Sequence, residues 1–327
     1  MKQTSHAALF DFLIGHATNE QAATGTTVII AAQGATASVD VRGGAPATRE
    51  TDLLRPENTV DKVHAVVLSG GSAFGLTAAS GVCEELEGRG IGLDTGPSIV
   101  PIVVGASLYD LDLGDSLERP DIHYGVQAVE DAFANKLNEP LRGNVGAGTG
   151  ASVSKLAGTE HSVKSGLGMA SFEHEDILVS AIVAVNALGD VYDPHSMKAL
   201  TGPRILDDPK KFVSTYDVLF SKQDQMQKPL NLQNTSIACI MTNAKLNKAQ
   251  AYKISQMSHD GFAHVIKPVH TTFDGDAIFT LASNKVDAEL NTLGIMAQRA
   301  LEEACLDAIY SAQSDYGILA HSDLICD

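Results

Sequence analysis

The chain has 327 residues, of which 44% are hydrophobic and 19% charged, so a large core is affordable and wholesale disorder is excluded. Its 40 acidic and 23 basic residues give a formal net charge of −17. That balance argues against nucleic acid or an anionic membrane as the main partner, because both are bound through clustered Lys and Arg.

No apolar run reaches the roughly 18 residues that suggest a membrane span. The N-terminus lacks a basic stretch followed by an apolar one, so no secretory signal is expected and a cytoplasmic protein is. Cys83, Cys239, Cys305 and Cys326 form no CxxC pair, which reads as reduced thiols rather than a disulfide frame or zinc site.

In chain order, residues 25–32 (TGTTVIIA) predict a strand, β-branched and bounded by turn formers. Residues 63–69 predict a buried strand running through Gly70-Gly71 into a helix, with Ser72 as its N-cap and Gly88 and Gly90 at its end. Residues 98–104 read as extended, with Pro101 marking an edge or bulge. A helix is expected over 124–136 and a buried strand over 177–187. The stretch 202–233 holds three prolines and a polar, charged run, and reads as an exposed connector. After it the sequence returns abruptly to apolar β-type residues, NTSIACIMTNA. Asn247 is placed to cap a helix running to about Ser258, with Leu246 as a hydrophobic staple. Residues 277–282 predict a strand. Residues 286–311 predict a long helix, with Leu290, Leu293, Ala297, Leu301, Ala304 and Ala308 on one face.

Two glycine-rich turns invite motif readings that fail. Gly70-Gly71-Ser72-Ala73-Phe74 has Phe74 where a hydrolase elbow needs its second glycine. The run Gly143–Gly150 matches neither dinucleotide nor Walker fingerprint, and reads as a turn where backbones approach closely. Among the 11 histidines there is no HExxH. His259 and His264 are assigned to different elements, and His16, His195 and His270 to packing or capping, so no metal and no other cofactor is expected.

Five further features carry chemistry. Thr235 begins an apolar run directly after the connector. Were the bond before it broken, its hydroxyl would stand beside its own α-amine, a nucleophile with a built-in base. That amine would have a pKa near 7.7–8.0. Asp274 and Asp276 stand at i and i+2, on one side of an extended segment. Asn186 ends the apolar run VSAIVAVN and needs a polar partner. Lys155 reads either as a solvated lysine or as a site residue, and Tyr109 as a half-buried tyrosine.

Several long blocks resemble the P1 peptidase family of self-cleaving hydrolases: GGAPATRETDLL, AVVLSGGSAFGL, VGAGTGASVSK, VNALGDVYDP, NTSIACIMTNAKL and HTTFDGDAIF. That family holds L-aminopeptidase/D-amidase-esterases, β-peptidyl aminopeptidases and the 6-aminohexanoate-oligomer (nylon) hydrolase. The resemblance runs from about Gly15 to the final helix. It implies a single domain with an αββα layered fold of the N-terminal-nucleophile hydrolase type. It also implies scission between Asn234 and Thr235 into an α chain (1–234) and a β chain (235–327). Relatives place the nucleophile first in a run that here reads TSIACIMT, Thr235 to Thr242. By the same resemblance Asn186 binds the oxyanion, and Lys155, Tyr109, Asp274 and Asp276 line the site. FDGD after an Asn-Thr scission pair leans toward the nylon-oligomer branch. The implied activity is hydrolysis of small peptides or N-terminal residues by a homotetramer of αβ units. A 6-aminohexanoate-oligomer hydrolase and an uncut, non-enzymatic relative are the alternatives.

Overall fold

The computed structural model describes residues 1–9, 11–135, 139–221 and 234–325. Ten strands make one hydrogen-bonded sheet: β1 (Lys2–Thr4), β2 (Leu13–Asn19), β3 (Thr24–Val41), β4 (Thr48–Arg49), β5 (Val63–Ser69), β6 (Val103–Ser107), β7 (Leu167–His174), β8 (Ile177–Ala184), β9 (Ile237–Ala244) and β10 (Ala277–Val286). The order is β1-β7-β8-β9-β10-β3-β5-β6-β4, with β2 also on β3. Four long helices cover the outside: α1 (Ala78–Gly88), α2 (Ile122–Ala134), α3 (Lys248–Val265) and α4 (Leu290–Tyr310).

The long β3 folds this path into two layers. Its residues 24–30 pair with β2 and β5, while Thr36–Val41 pair with β10. Three apolar clusters then define four layers. Ile29, Val66, Leu68, Ile182, Ile237, Cys239 and Phe279 fill the space between the two sheet halves. Val28, Ile30, Ala65 and Val67 face α1 and α2. Val183, Ala238, Ile240 and Ile278 face α3 and α4. The result is the expected αββα sandwich. Successive residues of β5 and β9 are buried on opposite faces, which is why both strands read as continuous apolar runs rather than alternating ones. Gly81 and Gly125 let α1 and α2 touch: a Cβ on either would lie within about 2 Å of a carbonyl of the other helix.

Several boundaries differ from the sequence reading. Ser72 does not cap a helix; Gly71 and Ser72 both have positive φ, and a 3-10 stretch Ser72–Thr77 precedes α1. The connector is structured in its first part: Arg204–Ile205 pairs with Asp208–Phe212, and Thr215–Phe220 is a short helix. Its remainder, 222–233, lies outside the described residues, as does Cys326. The helix from Asn247 is longer than expected. It carries a full capping box with Gln250 and runs through Gly261, so His259 and His264 share one helix. The last helix begins at Leu290, because Val286 still pairs with Ala244 in the sheet.

Strand direction assembles one end of the sandwich. β9 and β10 are parallel, with Ile237 beside Ala277, because α3 crosses between them. β8 is antiparallel to β9, so its C-terminal Ala184 also lies beside Ile237. Val41 of β3 completes the row against Ala277. The segments carrying Asn186, Thr235 and Asp274–Asp276 therefore emerge together. Phe279 sits fully buried between the sheets. Phe279→Ala should cost about 3–5 kcal/mol of unfolding free energy, read as a lower urea midpoint, because the rigid sheets cannot collapse onto the cavity.

Candidate active site

The peptide joining Asn234 and Thr235 is fixed by backbone bonds on both sides. Asn234 N–H donates to the Phe273 carbonyl at 2.9 Å, and Gly275 N–H donates to the Asn234 carbonyl at 2.8 Å. Thr235 N–H donates to the Asn186 carbonyl at 2.8 Å. The Thr235 hydroxyl is turned onto the Asn234 carbonyl itself. Thr235 is 4% exposed and Asn234 1%, so the whole junction is buried.

Asn186 is held at every polar group. Its side-chain carbonyl accepts from Ser152 N–H at 3.1 Å and from Lys155 Nζ. Its amide nitrogen donates one hydrogen to the Tyr109 carbonyl at 2.8 Å. Lys155 is buried rather than solvated. Burial lowers its pKa to about 8, and Asp112, Asp110 and Asp274 oppose that shift. Tyr109 meets Asn186 through its backbone, while its hydroxyl donates to Asp112 at 3.2 Å. Thr235, Asn186 and Lys155 thus converge on one buried network, which the half-buried Tyr109 joins through its carbonyl.

The two carboxylates do different work. Asp274 ends the turn that begins at Thr271 and forms a parallel β-bridge with Asn234. It accepts from the Thr271 N–H and hydroxyl at 2.7 Å each. Burial, then the charge of Asp276, pushes its pKa well above the usual carboxylate range. Asp276 accepts from Ser236 N–H at 2.8 Å through Oδ1, and meets His270 Nδ1 at 2.8 Å through Oδ2.

Behind Asp276 lies a chain the sequence reading missed. His259 Nε2 lies 3.0 Å from the Asp40 carbonyl, which can only accept, so that nitrogen carries a hydrogen. Burial disfavours a second proton on His259. Its Nδ1 then accepts from His270 Nε2 at 3.2 Å. Donor counting leaves one proton between His270 Nδ1 and Asp276 Oδ2. His270 was assigned to packing or capping; its contact with Asp276 is six residues away in sequence but depends on its positive φ of 57°. Gly275 was also missed, since a lone glycine between two acids carries no signal for an amide aimed at a neighbouring segment.

The glycine-rich turns enclose the protein's own charges. Asp110 accepts from Gly71 N–H and the Thr24 hydroxyl at 2.7 Å each, and burial pushes its pKa up to about 6. Lys164, fully buried, donates to the carbonyls of Gly148, Ala151 and Ser165, and so clamps the turn at Gly146–Gly148. Among the described residues no group of three or more His, Cys, Asp or Glu could hold a metal.

A Cβ on Gly275 would lie 2.7 Å from Thr235 Oγ1 and 2.8 Å from the Ala45 carbonyl. Gly275→Ala should therefore push the hydroxyl off the Asn234 carbonyl. The expected result is a folded protein in thermal melts with chemistry at Thr235 slowed at least a hundredfold.

The model of peptidase family S58 matches residues 11–322. The chain is 37% identical over 318 residues to an uncharacterized aminopeptidase of Mycobacterium leprae, covering 90% of this chain and 85% of that one. It is 28% identical over 321 residues to the 6-aminohexanoate-oligomer endohydrolase of Paenarthrobacter ureafaciens, covering 91% and 85%. Among solved structures it resembles the L-aminopeptidase D-Ala-esterase/amidase of Ochrobactrum anthropi, described as a new variant of the Ntn-hydrolase fold. The TM-score is 0.70 at 16% identity, over 98% of this chain and 93% of that one. A Burkholderia sp. β-aminopeptidase gives a TM-score of 0.68 at 17% identity, over 99% and 93%. At these identities the likeness is one of fold.

Proposed function

The chain belongs to peptidase family S58 and is a hydrolase of amide bonds, and we propose that it works as a self-processed aminopeptidase or amidase with Thr235 as nucleophile. The observation that carries this reading is the buried Asn234–Thr235 junction. Its carbonyl is already bonded to Gly275 N–H while the Thr235 hydroxyl lies on it.

In maturation, Thr235 Oγ bonds to the Asn234 carbonyl carbon and the C–N bond breaks. The hydroxyl proton goes to the departing nitrogen, which becomes the α-amine of Thr235. Water then cleaves the resulting ester, leaving a carboxylate on Asn234 and restoring the hydroxyl. In turnover, the new amine takes the hydroxyl proton as Oγ attacks a substrate amide, and the leaving amine is protonated in its place. Water releases the acyl group.

Gly275 N–H and the second amide hydrogen of Asn186 are the donors assigned to the oxyanion. One such donor is worth about 3–4 kcal/mol of transition-state stabilisation. Lys155 holds the side-chain carbonyl of Asn186, and its cationic form disfavours protonation of the Thr235 amine. Asp276 holds the backbone next to the nucleophile through Ser236 N–H. The relatives named for 6-aminohexanoate oligomers make that substrate class a second reading, which the FDGD and Asn-Thr signature favours.

Intact mass under denaturing conditions tests the premise. Two species split between Asn234 and Thr235 are expected, and Thr235→Ala should stay in one piece and hydrolyse no amide. Normal scission in Thr235→Ala would overturn the account. If Asp274 works as a carboxylate, its raised pKa puts the acid limb of kcat/KM above the ordinary aspartate value of about 3.9, with activity lost as pH falls through it.

A further inference from the structure

Thr235 is held through the two peptide units that flank it. Its own N–H donates to the Asn186 carbonyl at 2.8 Å, and the next N–H, that of Ser236, donates to Asp276 Oδ1 at 2.8 Å. Scission ends the first of these units and turns its nitrogen into an amine free to rotate. The bond from Ser236 N–H to Asp276 is untouched by the cut. With that N–H fixed, rotation about the Thr235 Cα–C bond is fixed too, and so is the direction in which the hydroxyl leaves the chain. We propose that His270 is a positioning residue of the cut enzyme: it holds the Asp276 carboxylate on Ser236 N–H, and through that bond it aims the Thr235 hydroxyl. This rests on the function proposed above.

Three observations converge. First, one residue meets Asp276 Oδ2 twice. His270 N–H donates to it at 3.2 Å, and His270 Nδ1 lies 2.8 Å from it. The bend at His270, with φ of 57°, turns backbone and ring to the same oxygen, in a conformation that few non-glycine residues adopt. Second, the ring is fixed from behind. His259 is buried, its Nε2 hydrogen is given to the Asp40 carbonyl, and its Nδ1 therefore accepts from His270 Nε2 at 3.2 Å. Phe262 stands edge-on to both imidazoles. The one proton left on the Asp276 side is shared between His270 Nδ1 and Oδ2, which leaves Oδ1 free of hydrogen and able to accept from Ser236. Third, the main chain of Asp276 has its own supports. Arg42 N–H and Gly43 N–H donate to its carbonyl at 2.9 and 3.3 Å. Loss of the imidazole therefore frees the carboxylate without releasing the segment that carries it.

The test compares full-length wild type, His270→Gly and His270→Asn. Glycine accepts the positive φ and removes the ring. Asparagine also tolerates that φ, and its side-chain amide nitrogen stands where Nδ1 does. It keeps a donor for Oδ2 and loses the contact with His259. Thermal melts confirm folding, intact mass follows scission, and kcat and KM are read on aminoacyl and 6-aminohexanoyl p-nitroanilides.

All three proteins should split, because the uncut junction is also held by Phe273, Gly275 and Asn186. The cut His270→Gly should lose about a hundredfold in kcat, with KM changed less than about threefold. His270→Asn should stay within about tenfold of the wild-type kcat. Asparagine fills less of the space beside His259 and Phe262, so a role in packing alone would leave it as impaired as glycine. Wild-type kcat in His270→Gly, a loss confined to KM, or equal impairment of the two variants would each overturn the role of His270, while Thr235 chemistry would stand. So would a folded His270→Gly that stays in one piece where the wild type splits. A wild type that never splits, or that splits and hydrolyses no amide, would remove the underlying function as well.

Discussion

The site depends on the pinning of residues 234–236 between two segments of backbone. Phe273 and Gly275 hold Asn234 from one side, and Asn186 holds Thr235 from the other. Asp276 then fixes the next amide, that of Ser236. A hydroxyl attacks a carbonyl only when both are held at short range, and here the peptide itself is the held object. Side chains around it act mainly by fixing this backbone.

That pinning is made possible by burial of charge. Lys155, Lys164, Asp110, Asp274 and Asp276 are all nearly or wholly inaccessible, in a protein whose surface is strongly acidic. Each has at least one hydrogen-bond partner, and Lys164 donates to three carbonyls, the kind of pairing that lets a charge stay inside. The His259–His270–Asp276 chain extends the same principle to the helix layer. It ties α3 to the Asp40 carbonyl of β3 and, through His270, to the segment that carries both carboxylates. Helices, sheets and site therefore share one polar spine.

Much of this was legible in the chain itself. The strands at 63–69 and 277–282 and the helix from Asn247 carry strong local signals, and the long motif blocks pointed to the αββα fold and to Thr235, Asn186, Lys155, Tyr109, Asp274 and Asp276. What escaped were effects with no side-chain signature. Ser72 looked like a cap, but Gly71 and Ser72 turn left-handed around the buried Asp110 instead. The helix from Asn247 runs past Ser258, and Gly261 allows its close packing against Gln298 of α4. His270 looked like one histidine among 11.

The sequence by itself determined the materials: apolar runs able to fill three cores, a Thr after an Asn, and the acids and amide to serve it. Those are properties of composition, period and local spacing. Only the tertiary structure decided that Gly275 N–H meets the Asn234 carbonyl, that Tyr109 meets Asn186 through its carbonyl rather than its hydroxyl, and that a pair of histidines stands behind Asp276. Each is a contact between segments far apart in the chain or a matter of backbone direction, and strand pairing across the sheet, not residue type, sets it.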